Sequence, residues 1–170
     1  CVVVMSGNFV QRGDPAILNK HTRTKFALLN GASIVLELPV PFATGSADIF
    51  AYGAINLLNK TNIIDFLCFG GETDDIEIFE KISEILTNEP AEFQNLLKNE
   101  LSKGISYPKA RHNALSLYMC MTGQSVRDKD ISFLKMPNNI LAIEYMKALK
   151  NENSSIKPKI IKRNGDSFHQ

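Results

Sequence analysis

The chain has 170 residues, of which 44% are hydrophobic and 22% are charged, a composition typical of one globular domain with a full apolar core. Its 19 Lys and Arg against 18 Asp and Glu give a net charge of +1, so no overall charge draws the chain to nucleic acid or to a membrane. No apolar run reaches the length of a membrane span. The three cysteines lack C-x-x-C spacing, which argues against a zinc site or a disulfide framework and favours a cytoplasmic protein with reduced thiols.

The chain opens on an apolar run, Cys1–Met5, that is rich in β-branched residues and has no polar alternation. This pattern predicts a parallel strand covered on both faces. Ser6 and Gly7 belong to the turn that ends the run. Because a buried strand is rarely the first element of a domain, we expect the chain to be part of a larger α/β protein.

Helices and strands then alternate along the first half of the chain. The predicted elements are, in order, a helix from Asn19 to about Asn30, a strand over 33–38, a helix with Ser46 as its N-cap, and a strand over 63–69. Short joints between such elements predict right-handed crossovers and a parallel sheet. The fold class is therefore α/β, with a Rossmann-like parallel sheet.

From Asp74 the pattern becomes entirely helical. Apolar residues at helical spacing predict three amphipathic helices, the third with Ala114, Leu117, Tyr118 and Met121 on one stripe. A helix that begins at Pro137 and a returning strand over 158–163 follow. This order divides the chain into a first part of the nucleotide-binding core over 1–73, a helical insertion over 74–124, and a return to the core over 125–170.

Ligands of an open parallel sheet bind in the crevice outside the carboxyl ends of its strands. Ser6 and Gly7 follow the first predicted strand, and Gly70 with Gly71 follows the third. Since glycine has no Cβ, Gly70 would let a nucleotide pack on the backbone. The alternative is a plain strand-to-helix turn, which the glycines by themselves favour.

Three polar residues near the same crevice are candidate ligands. Arg12 could clamp a phosphate or a carboxylate, or it could pair with Asp14 in its own loop. Asn138 could contact a sugar or a base at a helix N-terminus, or it could cap that helix. Arg163 could reach the crevice from the returning strand, or it could be a surface charge. The histidines show no ligand spacing, so no metal site is predicted.

Several ordered motifs resemble the bacterial tRNA(Met) cytidine acetate ligase family. They are VMSGNFVQRGDPA at Val4–Ala16, VLELP at Val35–Pro39, ADIFAYGA at Ala47–Ala54, Phe69 with Gly70, GISYP at Gly104–Pro108, PNNIL at Pro137–Leu141, SSIKP at Ser154–Pro158, and KRNG at Lys162–Gly165. The resemblance covers essentially the whole chain. It implies a Rossmann-like fold of nucleotidyltransferase type.

The resemblance also implies a reaction. ATP, with Mg²⁺ as an accompanying ion, would activate acetate to acetyl-adenylate, and the acetyl group would pass to N4 of the wobble cytidine of elongator tRNA(Met). It implies that Gly70, Asn138 and Arg163 hold the ATP, with Asn139 as the alternative to Asn138. The residue-based candidates Arg12, Ser6 and Gly7 remain weaker.

Two motifs of the family are absent from the chain. The family's first strand carries Asn-Pro-Phe-His-x-Gly-His, whose histidines stabilise phosphate charge, and a Ser/Thr-rich phosphate-contacting motif lies further downstream. Catalytic residues therefore stay unassigned, and we expect the chain alone to be almost inactive. The missing strand would normally lie in the middle of the sheet, beside Cys1–Met5. We expect its place to be filled by another chain, by residues outside this numbering, or by homodimer contacts.

Two other functions stay open. The first is a module that binds nucleotide or tRNA without chemistry, for which the basic runs Arg12–Lys25 and Lys147–Arg163 are the candidate contacts. The second is a different adenylyltransferase of cofactor biosynthesis, because one fold supports many functions.

Overall fold

The structure, a computed structural model, describes residues 1–11, 13–73, 75–123 and 136–163. Arg12 lies outside the described residues. The strands are β1 Val2–Ser6, β2 Ile34–Leu38, β3 Phe66–Gly71 and β4 Lys157–Lys162. The helices are α1 Lys20–Leu29, α2 Val40–Ala43, α3 Ala47–Asn59, α4 Ile76–Asn88, α5 Ala91–Leu101, α6 Tyr107–Met121 and α7 Pro137–Asn151.

All four strands pair in parallel, as the alternation of strands and helices predicts. β1 pairs with β2, with Val2 opposite Ile34, and β3 pairs with β4, with Phe66 opposite Lys157. The two pairs form separate two-stranded sheets, because among the described residues no strand joins them. The sheet is therefore divided beside β1, where the missing first strand of the family is expected to lie.

The two sheets lie on one layer of helices. A single apolar cluster combines Ile55 of α3 and Leu149 of α7 with Val4 of β1 and Leu67 of β3. No residue of β2 or β4 belongs to that cluster, so β1 and β3 are the inner strands. Each inner strand thus has one edge without a described strand beside it, and unpaired strand edges readily accept a further strand. What occupies this gap stays a prediction.

Helix α1 lies on the opposite face of the β1–β2 sheet. Side chains alternate between the faces of a strand, so Glu37 points away from the buried Leu38. Glu37 meets Lys20 of α1 with an Oε2 to Nζ distance of 2.8 Å. The β1–β2 sheet therefore has helices on both faces, although α1 covers its side only in part, since Phe26 and Leu29 stay exposed.

The two predicted N-caps have different outcomes. Asn19 caps α1 as predicted, because its side chain accepts a hydrogen bond from the amide of Thr22 at 2.9 Å. Ser46 holds the N-cap position of α3, but its hydroxyl bonds the Asp48 carboxylate instead of a backbone amide. The Ser46 hydroxyl thus donates to a carboxylate, and no backbone amide of α3 donates to it.

The helices α4, α5 and α6 build a second apolar core together with α7. Its members include Phe79, Phe93 and Leu115. The predicted stripe of α6 is wrong in part, because Leu117 and Met121 are 44% and 70% exposed. The helix is turned so that Ala110, Leu115 and Met119 are buried instead. No helix in the described part of the chain has the length and apolar character needed to cross a membrane.

Candidate functional site

Gly70 and Arg163 lie side by side at the carboxyl ends of β3 and β4. The backbone amide of Arg163 donates a hydrogen bond to the carbonyl of Gly71 at 2.9 Å, which extends the strand pairing by one residue. A Cβ built on Gly70 would lie 3.4 Å from Cγ and Cδ of Arg163. The aliphatic part of the Arg163 side chain therefore packs over Gly70, and both residues are exposed to solvent.

The N-terminus of α7 reaches the same strand end through Glu72. The fully buried Asn139 accepts a hydrogen bond at Oδ1 from the backbone amide of Glu72, at 2.8 Å. Asn138, which is half-buried, donates from Nδ2 to Oε1 of Glu72 at 3.0 Å. These two bonds join residues that are 66 and 67 positions apart in the sequence. Gly70 and Arg163 are therefore in contact at the carboxyl ends of β3 and β4, and Asn138 is joined to the same strand end through Glu72.

The structure distinguishes the two neighbouring asparagines. Asn139 has a structural role, because its side-chain oxygen Oδ1 accepts a hydrogen bond from the backbone amide of Glu72 and the residue is fully buried. Asn138 is the more accessible of the two. The alternative that Asn138 caps the helix is wrong, since Met136 holds the N-cap position of α7 and no side chain caps it. Asn138 is therefore available for another role.

Gly71 is required for packing, unlike Gly70. A Cβ on Gly71 would lie 2.9 Å from Cγ2 of Ile160 and 3.0 Å from the carbonyl oxygen of Thr73. We expect Gly71→Ala to lower the free energy of unfolding by about 1–3 kcal/mol, the usual cost of overpacking. Gly70→Ala is the matched control, because its Cβ meets only the movable side chain of Arg163. Urea unfolding of both variants would give the difference, and equal stabilities would contradict this assignment.

Ser6 and Gly7 belong to a second cluster, at the carboxyl ends of β1 and β2. Arg23 of α1 donates from Nη2 to the carbonyl oxygens of Ser6 and Gly7. A Cβ on Gly7 would collide with Oε1 of Glu37, so a larger residue there would require the flexible Glu37 side chain to move. Both residues thus have structural partners within their own cluster.

Three charged residues near the strand ends were not predicted to be site residues from the sequence. They are Glu72, Arg23 and Glu37. Glu37 interrupts an apolar strand, and Glu72 directly follows two glycines at a strand end. A charged residue at such a position is the sequence feature that could have identified Glu37 and Glu72. Arg23 gave none, because an arginine in the first turns of a helix is ordinary.

The structure also holds a cavity away from the strand ends. It has a volume of about 450 Å³, lies between α4, α6 and α7, and is lined by Leu86, Arg111 and Ile143 among others. Beside it the side chain of Glu144, which is 4% exposed, pairs with Nη1 of Arg111 at 3.1 Å and with Nζ of Lys147 at 2.8 Å. The cavity is distinct from the crevice that the strand ends predict.

One aromatic residue supports the candidate site from below. Tyr145 of α7 packs against Phe69 of β3 with a ring-centroid distance of 5.4 Å. Burial raises the pKa of Tyr145 to about 12, so the phenol stays neutral at physiological pH and acts as a packing group. It helps to fix α7 relative to the residue that precedes Gly70.

Comparisons with known proteins agree on one family. A family model described as HIGH Nucleotidyl Transferase matches residues 1–170. A tRNA(Met) cytidine acetate ligase of Clostridium tetani is 51% identical over 168 residues, which are 99% of this chain and 41% of that protein. A ligase of the same name from Clostridium perfringens is 48% identical over 172 residues, with 99% and 42% covered. The chain spans about two fifths of the length of these relatives.

Solved structures give the same result. The apo structure of Thermotoga maritima TmcAL (form I) matches with a TM-score of 0.94 and 41% identity, over 99% of this chain and 40% of that one. The crystal structure of that protein bound with alpha-thio ATP matches with a TM-score of 0.91 and 42% identity, over 96% and 39%. These neighbours confirm the predicted α/β fold of nucleotidyltransferase type. The chain belongs to the HIGH nucleotidyl transferase family and, within it, resembles the tRNA(Met) cytidine acetate ligases.

Proposed function

We propose that the chain carries part of the ATP site of a tRNA(Met) cytidine acetate ligase. The observation that carries this proposal is the contact of Gly70 with Arg163 at the carboxyl ends of β3 and β4, to which Asn138 is joined through Glu72. Carboxyl ends of parallel strands and the N-terminus of a helix are where α/β proteins bind nucleotides. The names of the relatives, and the ATP analogue bound to TmcAL, support the same ligand.

Each of the three residues has a distinct role in this site. The guanidinium of Arg163 pairs with phosphate oxygens, for which its planar set of donors is suited. Gly70 keeps a flat surface beside that side chain, because a larger residue would displace it. Asn138 contacts the nucleoside from the first turn of α7. Mg²⁺ accompanies ATP through the phosphates, as it usually does in such sites.

The reaction has two steps. A carboxylate oxygen of acetate attacks the α-phosphorus of ATP, the bond to the bridging oxygen breaks, and pyrophosphate leaves. The N4 amine of the tRNA(Met) wobble cytidine then attacks the acetyl carbonyl, AMP leaves, and the nitrogen loses a proton. The residues described above bind and orient ATP in the first step. Because tRNA and ATP are the proposed substrates together with acetate, we propose that the protein works in the cytoplasm.

Catalysis needs charge stabilisation that these 170 residues do not carry. Each lost preorganised donor typically costs about 2.7–4 kcal/mol of transition-state stabilisation, and a His-x-Gly-His motif is absent from the sequence. We therefore expect the chain to give almost no acetate-dependent exchange of pyrophosphate into ATP, while the full-length Clostridium tetani relative serves as the active control. Robust exchange by the 170-residue chain would show that the necessary groups lie within it.

A second candidate is RNA binding without chemistry, which one observation favours. Lys157, Lys159 and Lys162 are exposed along the strand β4, and the Nζ of Lys159 lies 4.7 Å from the ring centroid of Phe66. The basic run of α1 is less available, because Lys20 and Arg23 already have partners. If β4 contacts tRNA(Met), its affinity should fall steeply with salt, with a log–log slope of about −0.7 to −0.9 per phosphate contacted. Filter binding at several salt concentrations measures this slope, and a flat response would exclude the electrostatic contact.

A further inference from the structure

Glu72 fixes the orientation of the Asn138 amide. The oxygens of an ionised carboxylate only accept hydrogen bonds, whereas an asparagine amide has one accepting and one donating end. The contact of 3.0 Å between Asn138 and Oε1 of Glu72 is therefore favourable only with the NH₂ group turned toward the carboxylate. The carbonyl oxygen Oδ1 of Asn138 is then the end that is turned away from Glu72.

The backbone at Glu72 is held in place from two sides. Asn139, which is fully buried, binds the backbone amide of Glu72, and the preceding carbonyl of Gly71 accepts from the amide of Arg163. Both bonds restrain the backbone on which the Glu72 side chain stands. The orientation of Asn138 is thus set before any ligand arrives, which is the condition for selectivity.

We propose that Glu72 sets the base selectivity of the nucleotide site by presenting Asn138 Oδ1 as a fixed hydrogen-bond acceptor to the 6-amino group of adenine. This inference rests on the proposed ATP site. The 6-amino group is a donor, while guanine and hypoxanthine carry an acceptor, O6, at the same position. Two acceptors facing each other leave both unpaired, and a site built around one hydrogen bond rejects a ligand that cannot make it. Ribose hydroxyls both donate and accept, so a fixed acceptor would not select among them in this way.

The test compares nucleotide affinities of the 170-residue chain and its Glu72→Gln variant. The substituted side chain keeps the shape of the original but can donate as well as accept, so the Asn138 amide becomes free to turn. We expect isothermal titration to show that the unaltered chain prefers ATP to ITP, and that the Glu72→Gln substitution lowers this preference about tenfold. Glu77→Gln, an exposed acid in the first turn of α4, is the control and should keep the preference.

Each possible result of the titrations either supports or contradicts the proposed role of Glu72. If the Glu72→Gln variant keeps the ratio of ATP to ITP affinity, even with equal losses for both nucleotides, Glu72 has only a structural role and the proposal is wrong. The proposed ATP site is unaffected by that result. A change in the ratio of ATP to 2′-deoxy-ATP, with ITP discrimination kept, would move the contact from the base to the ribose. If the unaltered chain binds neither ATP nor ITP, the proposed function fails, and the inference fails with it. Urea unfolding of the variants verifies that the fold is kept.

Discussion

Arg163→Ala is expected to weaken ATP binding by roughly 10- to 100-fold, the range for losing a hydrogen-bonded charge at a ligand. The side chain lies over Gly70 at the carboxyl edge of the sheet, where the phosphates of a nucleotide would arrive. Arg163→Lys should also be damaging, because lysine keeps the charge but loses the planar set of donors. Titration of each variant with ATP measures the effect.

The control for this prediction is Lys157→Ala. Lys157 is an exposed cation on the same strand, but it lies at the opposite end of β4 and pairs with Phe66 in the strand register. The Lys157→Ala substitution removes the same positive charge but leaves the carboxyl ends of β3 and β4 unchanged. Comparable losses in Lys157→Ala and Arg163→Ala would point to a general electrostatic attraction and would remove Arg163 from the site.

Glu144→Ala is expected to lower the free energy of unfolding by about 3–5 kcal/mol. The carboxylate of Glu144 is the shared partner of Arg111 and Lys147, whose side chains are 25% and 20% exposed. Its removal would leave two largely buried cations close together with no anion between them. Glu144→Gln should cost less, since its amide oxygen still accepts one hydrogen bond. Urea unfolding gives both values.

An exposed acid of the neighbouring helix provides the comparison. Glu84 of α4 is exposed, so Glu84→Ala should change the stability by no more than about 0.5 kcal/mol. If Glu144→Ala proved equally mild, the ion pairs of Glu144 would be of the weak surface kind, and the packing of α6 against α7 would depend on apolar contacts alone.

The local elements of the fold could be predicted from the sequence because each depends on neighbouring residues. The β-branched run before Ser6 forms β1, and Asn19 caps α1, as their chemistry requires. The face of α6 could not be predicted, because its apolar residues are spread around the helix. Leu117 fits the helical period but is 44% exposed, and only the packing against α5 decides which side is buried.

The candidate site could likewise be predicted from the sequence only in part. Gly70, Asn138 and Arg163 could be named from the sequence, through strand ends and the family resemblance. The roles of Asn139 and Glu72 could not, because they depend on hydrogen bonds between residues 66 and 67 positions apart. Such contacts leave no periodic pattern. The gap in the sheet beside β1 was expected from the family resemblance, whereas the pairing of β3 with β4 depends on contacts between distant residues.

A crystal structure of the chain soaked with ATP and Mg²⁺ would show where the nucleotide binds. We expect a nucleotide at the carboxyl ends of β3 and β4, with phosphate oxygens within hydrogen-bond distance of the Arg163 guanidinium, the nucleoside beside Gly70, and Asn138 in contact with it. ATP bound instead in the cavity between α4, α6 and α7, or at the ends of β1 and β2, would contradict this expectation.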